Sequence, residues 1–153
     1  HLAYQAWDLQ TFSKGRFLLG IGSQVKAHIE NRFGVEFSPP ATRMREYIQA
    51  LKAIFTCWQE GGRMAFEGKY YRHTLMTPMF NPGPLEYGPP PVLLGALGPL
   101  MTEVAGEVAD GLIVHPFNSM PFLTDHALPA VRRGLAKSGR ARSDFRSLSA
   151  ANL

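Results

Sequence analysis

The residues best suited to chemistry sit in short glycine-bearing turns behind apolar runs. Gly95-Ala96-Leu97-Gly98 follows Val92-Leu93-Leu94 and precedes Pro99. Small side chains there let a ligand approach the backbone, and a helix starting at Pro99 would offer unpaired N–H groups and the positive end of its dipole to an anion. A phosphate suits such a turn. The same residues also serve a tight strand-to-helix turn with no ligand, and they form neither a GxGxxG fingerprint nor a Walker loop. A second turn, Gly22-Ser23-Gln24, places a glycine and a hydroxyl behind the run Phe17-Leu18-Leu19-Gly20-Ile21. A third begins at His115, behind Leu112-Ile113-Val114. His115 reads either as a polar group facing a pocket or as a hydrogen-bonded residue of a packed loop, and His28 either as a ligand contact or as a surface histidine.

These turns need elements to hold them. The prolines 89–91 cannot lie inside a helix or a central strand, and the apolar runs behind them and behind Arg16 lack polar alternation, as strands buried on both faces do. Met101, Val104, Ala105 and Val108 recur at helical spacing, and Asp110-Gly111 is expected to stop that helix before Leu112. The stretch 89–115 is thus a βαβ unit. In such units strand C-terminal ends and helix N-termini face one side, where ligands bind in barrels and open sheets alike.

Around this unit, Leu2–Phe12 is expected to be a helix closed by Ser13-Lys14-Gly15, and Val25–Phe33 a short helix. Thr42 is expected to cap a long helix whose stripe Met44, Tyr47, Ile48, Leu51, Ile54, Phe55 and Trp58 packs a core. Residues 61–90 break the rhythm: Phe66-Glu67-Gly68-Lys69-Tyr70-Tyr71 predicts a short strand with a turn inside an irregular excursion rich in proline and glycine. Phe122–Lys137 is expected to be a helix kinked or split at Pro129, with a strand from about Phe145. The order β, α, insertion, β, α, β, α, β predicts an α/β protein with a parallel sheet, either a (β/α)8 barrel or doubly wound. A barrel takes ~250 residues, so 153 residues would hold part of one. His1 and Ser149 both read as positions inside an element, and the chain is expected to be an internal segment, a single partial domain over 1–153.

Composition narrows the classes. A 45% hydrophobic and 11% aromatic content is that of a folded protein. The net charge of +4 is spread out, and the cluster Arg132, Arg133, Lys137, Arg140 and Arg142 carries no interleaved aromatics, so a solvated helix end is expected rather than a nucleic-acid surface. No apolar run approaches the ~20 residues of a membrane span, and no signal peptide is visible. The lone Cys57 falls on an apolar helical pattern and is expected in the core, consistent with a reducing, cytoplasmic compartment. His1, His28, His73, His115 and Asp110 lack a tight ligand spacing, so no metal site is expected.

Four motifs occur in order: Arg16-Phe17-Leu18-Leu19-Gly20-Ile21-Gly22-Ser23-Gln24, Arg43-Met44-Arg45-Glu46, Phe66–Tyr71, and Gly98-Pro99 through Ala105-Gly106-Glu107-Val108-Ala109-Asp110-Gly111. Together they resemble the bacterial-luciferase-like superfamily, and within it the deazaflavin-dependent oxidoreductases. The resemblance covers nearly the whole chain. It implies a (β/α)8 TIM barrel with an insertion, binding coenzyme F420, or alternatively FMN, at the strand C-terminal ends, and hydride transfer to or from a small-molecule substrate. It implies that Ala96, Leu97 and Gly98 grip the coenzyme phosphate, and that Gly20, Gly22 and Ser23 line its ring and polar tail. It also implies coenzyme contacts from His28 and His115. Many relatives have glycine where Leu97 stands. A homodimer is expected at full length, the catalytic acid or base is expected outside this stretch, and the stretch alone is expected to be inactive. A luciferase-like monooxygenase, a metal-dependent hydrolase on a barrel and a barrel relative without coenzyme remain the alternatives.

Overall fold

The computed structural model describes residues 1–149, arranged as two compact units: 1–19 with 46–91, and 20–45 with 92–149. In the first, α1 (Leu2–Phe12) ends where Lys14 and Gly15 take positive φ and Ser13, Lys14 and Gly15 donate back to Leu9, Thr11 and Gln10. Helix α2 (Pro40–Glu60) contributes its residues from Glu46 onward. The aromatic pattern of these helices becomes a core: the Trp7 ring stacks on Phe55 at 5.5 Å and meets Trp58 edge-on at 5.2 Å. Cys57 is also buried, as its position in the apolar pattern predicts.

The expected helix start at Thr42 is corrected. The helix begins at Pro40, and Arg43 N–H bonds the Pro39 carbonyl. Proline suits the first turn, where a missing N–H leaves nothing unpaired, so Thr42 lies inside the helix.

The irregular stretch is short on ladder bonds and rich in side-chain ones. Strands β2 (Phe66–Glu67) and β3 (Arg72–His73) pair antiparallel, and Pro78–Phe80 forms one 3-10 turn. Beyond these, Trp7 Nε1 donates to the Gly83 carbonyl, and Gln59 both donates to and accepts from the Leu85 backbone, at 3.0 and 3.1 Å. The buried Gln10 donates to the Gly88 carbonyl and accepts from Phe17 N–H. Polar side chains thus satisfy backbone groups that no sheet satisfies.

The second unit is built on a sheet. Strands β1 (Leu19–Ile21), β4 (Val92–Gly95), β5 (Gly111–Val114) and β6 (Arg146–Ser149) lie in the order β1-β4-β5-β6. Strands β4 and β5 run parallel with Leu93 beside Gly111 and Gly95 beside Ile113, and β5 and β6 run parallel with Val114 beside Ser149. Val92, Leu93 and Leu94 are fully buried, each contributing about 1.5–3 kcal/mol of apolar transfer. Helix α3 (Pro99–Val108) ends before Asp110, whose carboxylate accepts Val92 N–H at 2.8 Å while its own N–H bonds the Val92 carbonyl.

Gly111 is not a helix stop but the first residue of β5, where any Cβ would meet the Arg146 carbonyl oxygen at 2.7 Å. Only glycine lets the strands close there. The expected helix from Phe122 is divided into a turn α4 (Met120–Phe122), a π-helical turn over Leu123–Ala127, and α5 (Leu128–Ser138), with Pro129 in the first turn of α5. Proline's missing N–H frees the preceding carbonyls and widens the turn before it. Gly139, at φ +66, ends α5 in the left-handed conformation. The expected short helix at Val25–Phe33 is present over residues 26–32, its last five, His28–Arg32, being π-helical.

Candidate functional site

Parallel pairing sets the site, because it brings strand C-terminal ends to one edge of the sheet. Gly95 pairs with Ile113, so the turn from Ala96 and the turn from His115 leave the sheet side by side. On the other side of β4, a Cβ on Gly95 would lie 3.5 Å from the Ile21 carbonyl oxygen, which puts the end of β1 beside the end of β4. Gly20, Gly22, Ser23, Ala96, Leu97, Gly98 and His115 therefore share this edge. His28 lies farther along, exposed in the turn His28–Arg32.

The turn after β4 has the features of an anion cradle. Gly98 is the N-cap of α3 in extended conformation, and its carbonyl accepts both the N–H and the hydroxyl of the buried Thr102, at 3.0 and 2.9 Å. That buried threonine fixes the first turn. The N–H groups of Leu100 and Met101 come too early in the helix for intrahelical acceptors, and Pro99 has none. A Cβ built on Gly98 would meet nothing within 4 Å. The space beside Gly98 is therefore open, and N–H donors at a helix start are of a kind that suits a phosphate. Leu97, the residue that departs from the related pattern, points an exposed apolar side chain from the same turn.

Around β1, the space beside Gly22 is also open, whereas a Cβ on Gly20 would come 2.8 Å from Ile113 Cδ1. Gly20 is thus set by packing against β5 and Gly22 by space. The Ser23 hydroxyl donates to the Gln24 carbonyl at 3.3 Å, and Gln24 itself takes φ +57 and accepts Val25 N–H on its side chain. At the end of β5, His115 Nδ1 accepts Phe117 N–H at 3.3 Å and its ring lies 5.3 Å from that of Phe117. Accepting at Nδ1 leaves the neutral ring's proton on Nε2, available to a ligand oxygen.

Sequence reasoning gave no role to Glu46 or Phe117. Glu46 gathers the backbone of the β2–β3 hairpin, and Phe117 projects from the turn beside His115 with 91% of its surface exposed. The pairing of a helical carboxylate with a distant turn leaves no periodic signal. Among the described residues no group of three or more His, Cys, Asp or Glu is placed to hold a metal, and no helix is long and apolar enough to cross a membrane.

The chain matches the family described as luciferase-like monooxygenase over residues 1–153. It is 52% identical over 144 residues to an uncharacterised protein of Mycobacterium tuberculosis, covering 94% of this chain and 42% of that protein. It is 33% identical over 134 residues to a protein of Nakamurella multipartita named F420-dependent glucose-6-phosphate dehydrogenase, covering 88% and 38%. Among solved structures it superposes on the coenzyme F420-dependent tetrahydromethanopterin reductase of Methanopyrus kandleri with a TM-score of 0.72 and 27% identity, covering 97% of this chain and 44% of that one. The parallel sheet is therefore part of a barrel of this type, and the chain spans less than half the length of these relatives. By its match over every residue, the chain belongs to the luciferase-like monooxygenase family.

Proposed function

We propose that the protein is an oxidoreductase that transfers a hydride between an organic substrate and coenzyme F420. The observation that carries this reading is the open space beside Gly98, the N-cap of α3, at the strand-end edge of a parallel sheet. Relatives named as F420-dependent support the choice of coenzyme. When bound, the deazaflavin supplies the carbon that accepts or gives the hydride.

The chain's own residues do the holding. Leu100 and Met101 N–H bind the phosphate, aided by the α3 dipole, with Ala96 and Leu97 shaping the turn. Gly20, Gly22 and Ser23 border the ring, and His115, which the resemblance gives as a coenzyme contact, is assigned here a hydrogen bond from Nε2–H to a substrate oxygen. Water exclusion falls to the apolar side chains of the same turns. His28 and a cytoplasmic homodimer belong to this reading as proposals. FMN is the second reading, favoured by the family's description as monooxygenases.

Titration of the protein expressed at the full length of its gene with F420 and with FMN, followed by absorbance and fluorescence, tests the proposal. Gly98→Asp sharpens it: aspartate at an N-cap is at least as good for the helix as glycine, yet its charge faces the phosphate. Tighter binding of F420 than of FMN, with a loss of about tenfold or more in Gly98→Asp at unchanged stability, is expected. Unchanged affinity in Gly98→Asp would overturn the phosphate assignment, and binding of neither coenzyme would overturn the function.

A further inference from the structure

We infer, resting on the coenzyme reading above, that the substrate at this edge is an uncharged organic molecule with an apolar body and one oxygen to hydrogen-bond, not a phosphorylated or carboxylated one. The turns 22–25, 95–100 and 115–120 contain no Lys, Arg, Asp or Glu. They expose instead Leu97 at 55%, Leu100 at 70%, Phe117 at 91% and Met120 at 69% of their surface. Isolated exposed apolar residues are ordinary, but these four all leave the same strand-end edge, the place where barrels bind small molecules.

Along these turns, charge argues against an anionic substrate. The free N–H groups at the start of α3 serve one anion, the coenzyme phosphate. The charged side chains that follow the turns are engaged: Lys26 lies 3.8 Å from Glu30, Glu103 is held by Lys137 and Arg133, and Asp125, itself an anion, accepts the Thr124 hydroxyl. A second phosphate beside Leu97 and Phe117 would lose its water and gain no cation in this part of the protein. What the turns do offer is apolar area and one donor. His115 Nδ1 is engaged by Phe117 N–H, so Nε2–H is left for a carbonyl or hydroxyl oxygen.

An NMR titration of the full-length protein without coenzyme, in saturating inorganic phosphate that occupies the start of α3, tests the substrate class, and the coenzyme titration above tests the reading beneath it. With acetophenone as probe, the amides of Leu97, Phe117 and Met120 are expected to shift in a saturable manner, and Phe117→Lys to weaken that binding about tenfold, the value of one lost buried apolar contact of about 1.4 kcal/mol. Glucose 6-phosphate is expected to leave these amides unmoved. Saturable shifts of the same amides by glucose 6-phosphate, absence of shifts with acetophenone, or indifference to Phe117→Lys would each overturn the inference. Acetophenone shifts in a protein that binds neither F420 nor FMN would uphold this binding class and overturn the oxidoreductase reading alone.

Discussion

The Glu46 carboxylate accepts the backbone N–H of Tyr71 at 2.6 Å, and with the same group it also takes the N–H of Tyr70 and, at 2.9 Å, of Lys69. One helical side chain thus satisfies three consecutive donors in the turn of the β2–β3 hairpin. Gly68 makes room for it, since a Cβ there would run into the carboxylate. The paired strands are only two residues each, too short for the ladder alone to hold the hairpin.

This arrangement gives a pH dependence with a definite sign. Desolvation pushes the Glu46 carboxyl up, but the N–H bonds from Tyr71, Tyr70 and Lys69 and the Lys69 charge outweigh it, leaving the carboxyl below its ordinary value. A depressed carboxyl stabilises the fold above its unfolded pKa, and that stabilisation is lost as the pH falls through the lower, folded value. Hydrogen-exchange protection factors at residues 69–71 should therefore hold near neutral pH and collapse on acidification below the usual carboxylate range. Glu46→Gln should lower protection at neutral pH and abolish the acid step. An acid step that survives in Glu46→Gln would assign it to another group.

The crossing of α3 and α5 depends on two glycines. A Cβ on Gly134 would collide with the Glu103 carbonyl, and one on Gly106 with the Val131 carbonyl. Gly134→Ala would gain about 1 kcal/mol in an exposed helix, but here the helices must part. Overpacking should win, with a net loss of about 1–3 kcal/mol in chemical denaturation of the full-length protein. A stabilised Gly134→Ala would show that the helices move apart freely.

Arg140 closes the far end of α3. Its guanidinium donates to the carbonyls of Gly106 and Ala109, both at 2.7 Å, and lies 3.8 Å from the Asp110 carboxylate that holds Val92 N–H. Arg140→Ala leaves two helix-end carbonyls without this donor and should cost about 1.5–3 kcal/mol, as for hydrogen bonds to charged groups. Both bonds come from Nη2, while Nη1 faces Asp110 and Nε donates to Ser138; lysine has one nitrogen for all of these partners, so Arg140→Lys should recover only part of the loss. Full recovery by lysine would reduce the effect to charge alone.

The basic cluster around Arg132 shows why such pairing escapes a sequence. Its composition predicts a solvated helix end, and Arg133 and Lys137 are exposed there, yet both also bond Glu103 on α3, and this pairing holds that carboxyl below its ordinary value, Lys137 contributing most. Arg140 is a cap for a helix more than thirty positions earlier. Spacing along the chain carries no record of either partner.

The alternation of apolar runs and amphipathic helices, the small residues at strand ends and the proline punctuation are legible along the chain without its fold. These follow from local rules: strands buried on both faces need continuous apolar side chains, helices need their period, and proline cannot donate. Those rules were enough for the parallel sheet, the βαβ unit over 89–115 and the edge on which Gly20–Ser23, Ala96–Gly98 and His115 lie. Tertiary structure decided what depends on partners distant in the chain. It made Gly111 a strand residue because Arg146 lies across from it, set the start of α2 at Pro40, and bound the irregular stretch through Gln10, Gln59 and Glu46. It also left Leu97, Leu100, Phe117 and Met120 uncovered along the strand ends. An apolar residue in a sequence reads the same whether it is packed or exposed, because burial is a property of what folds against it.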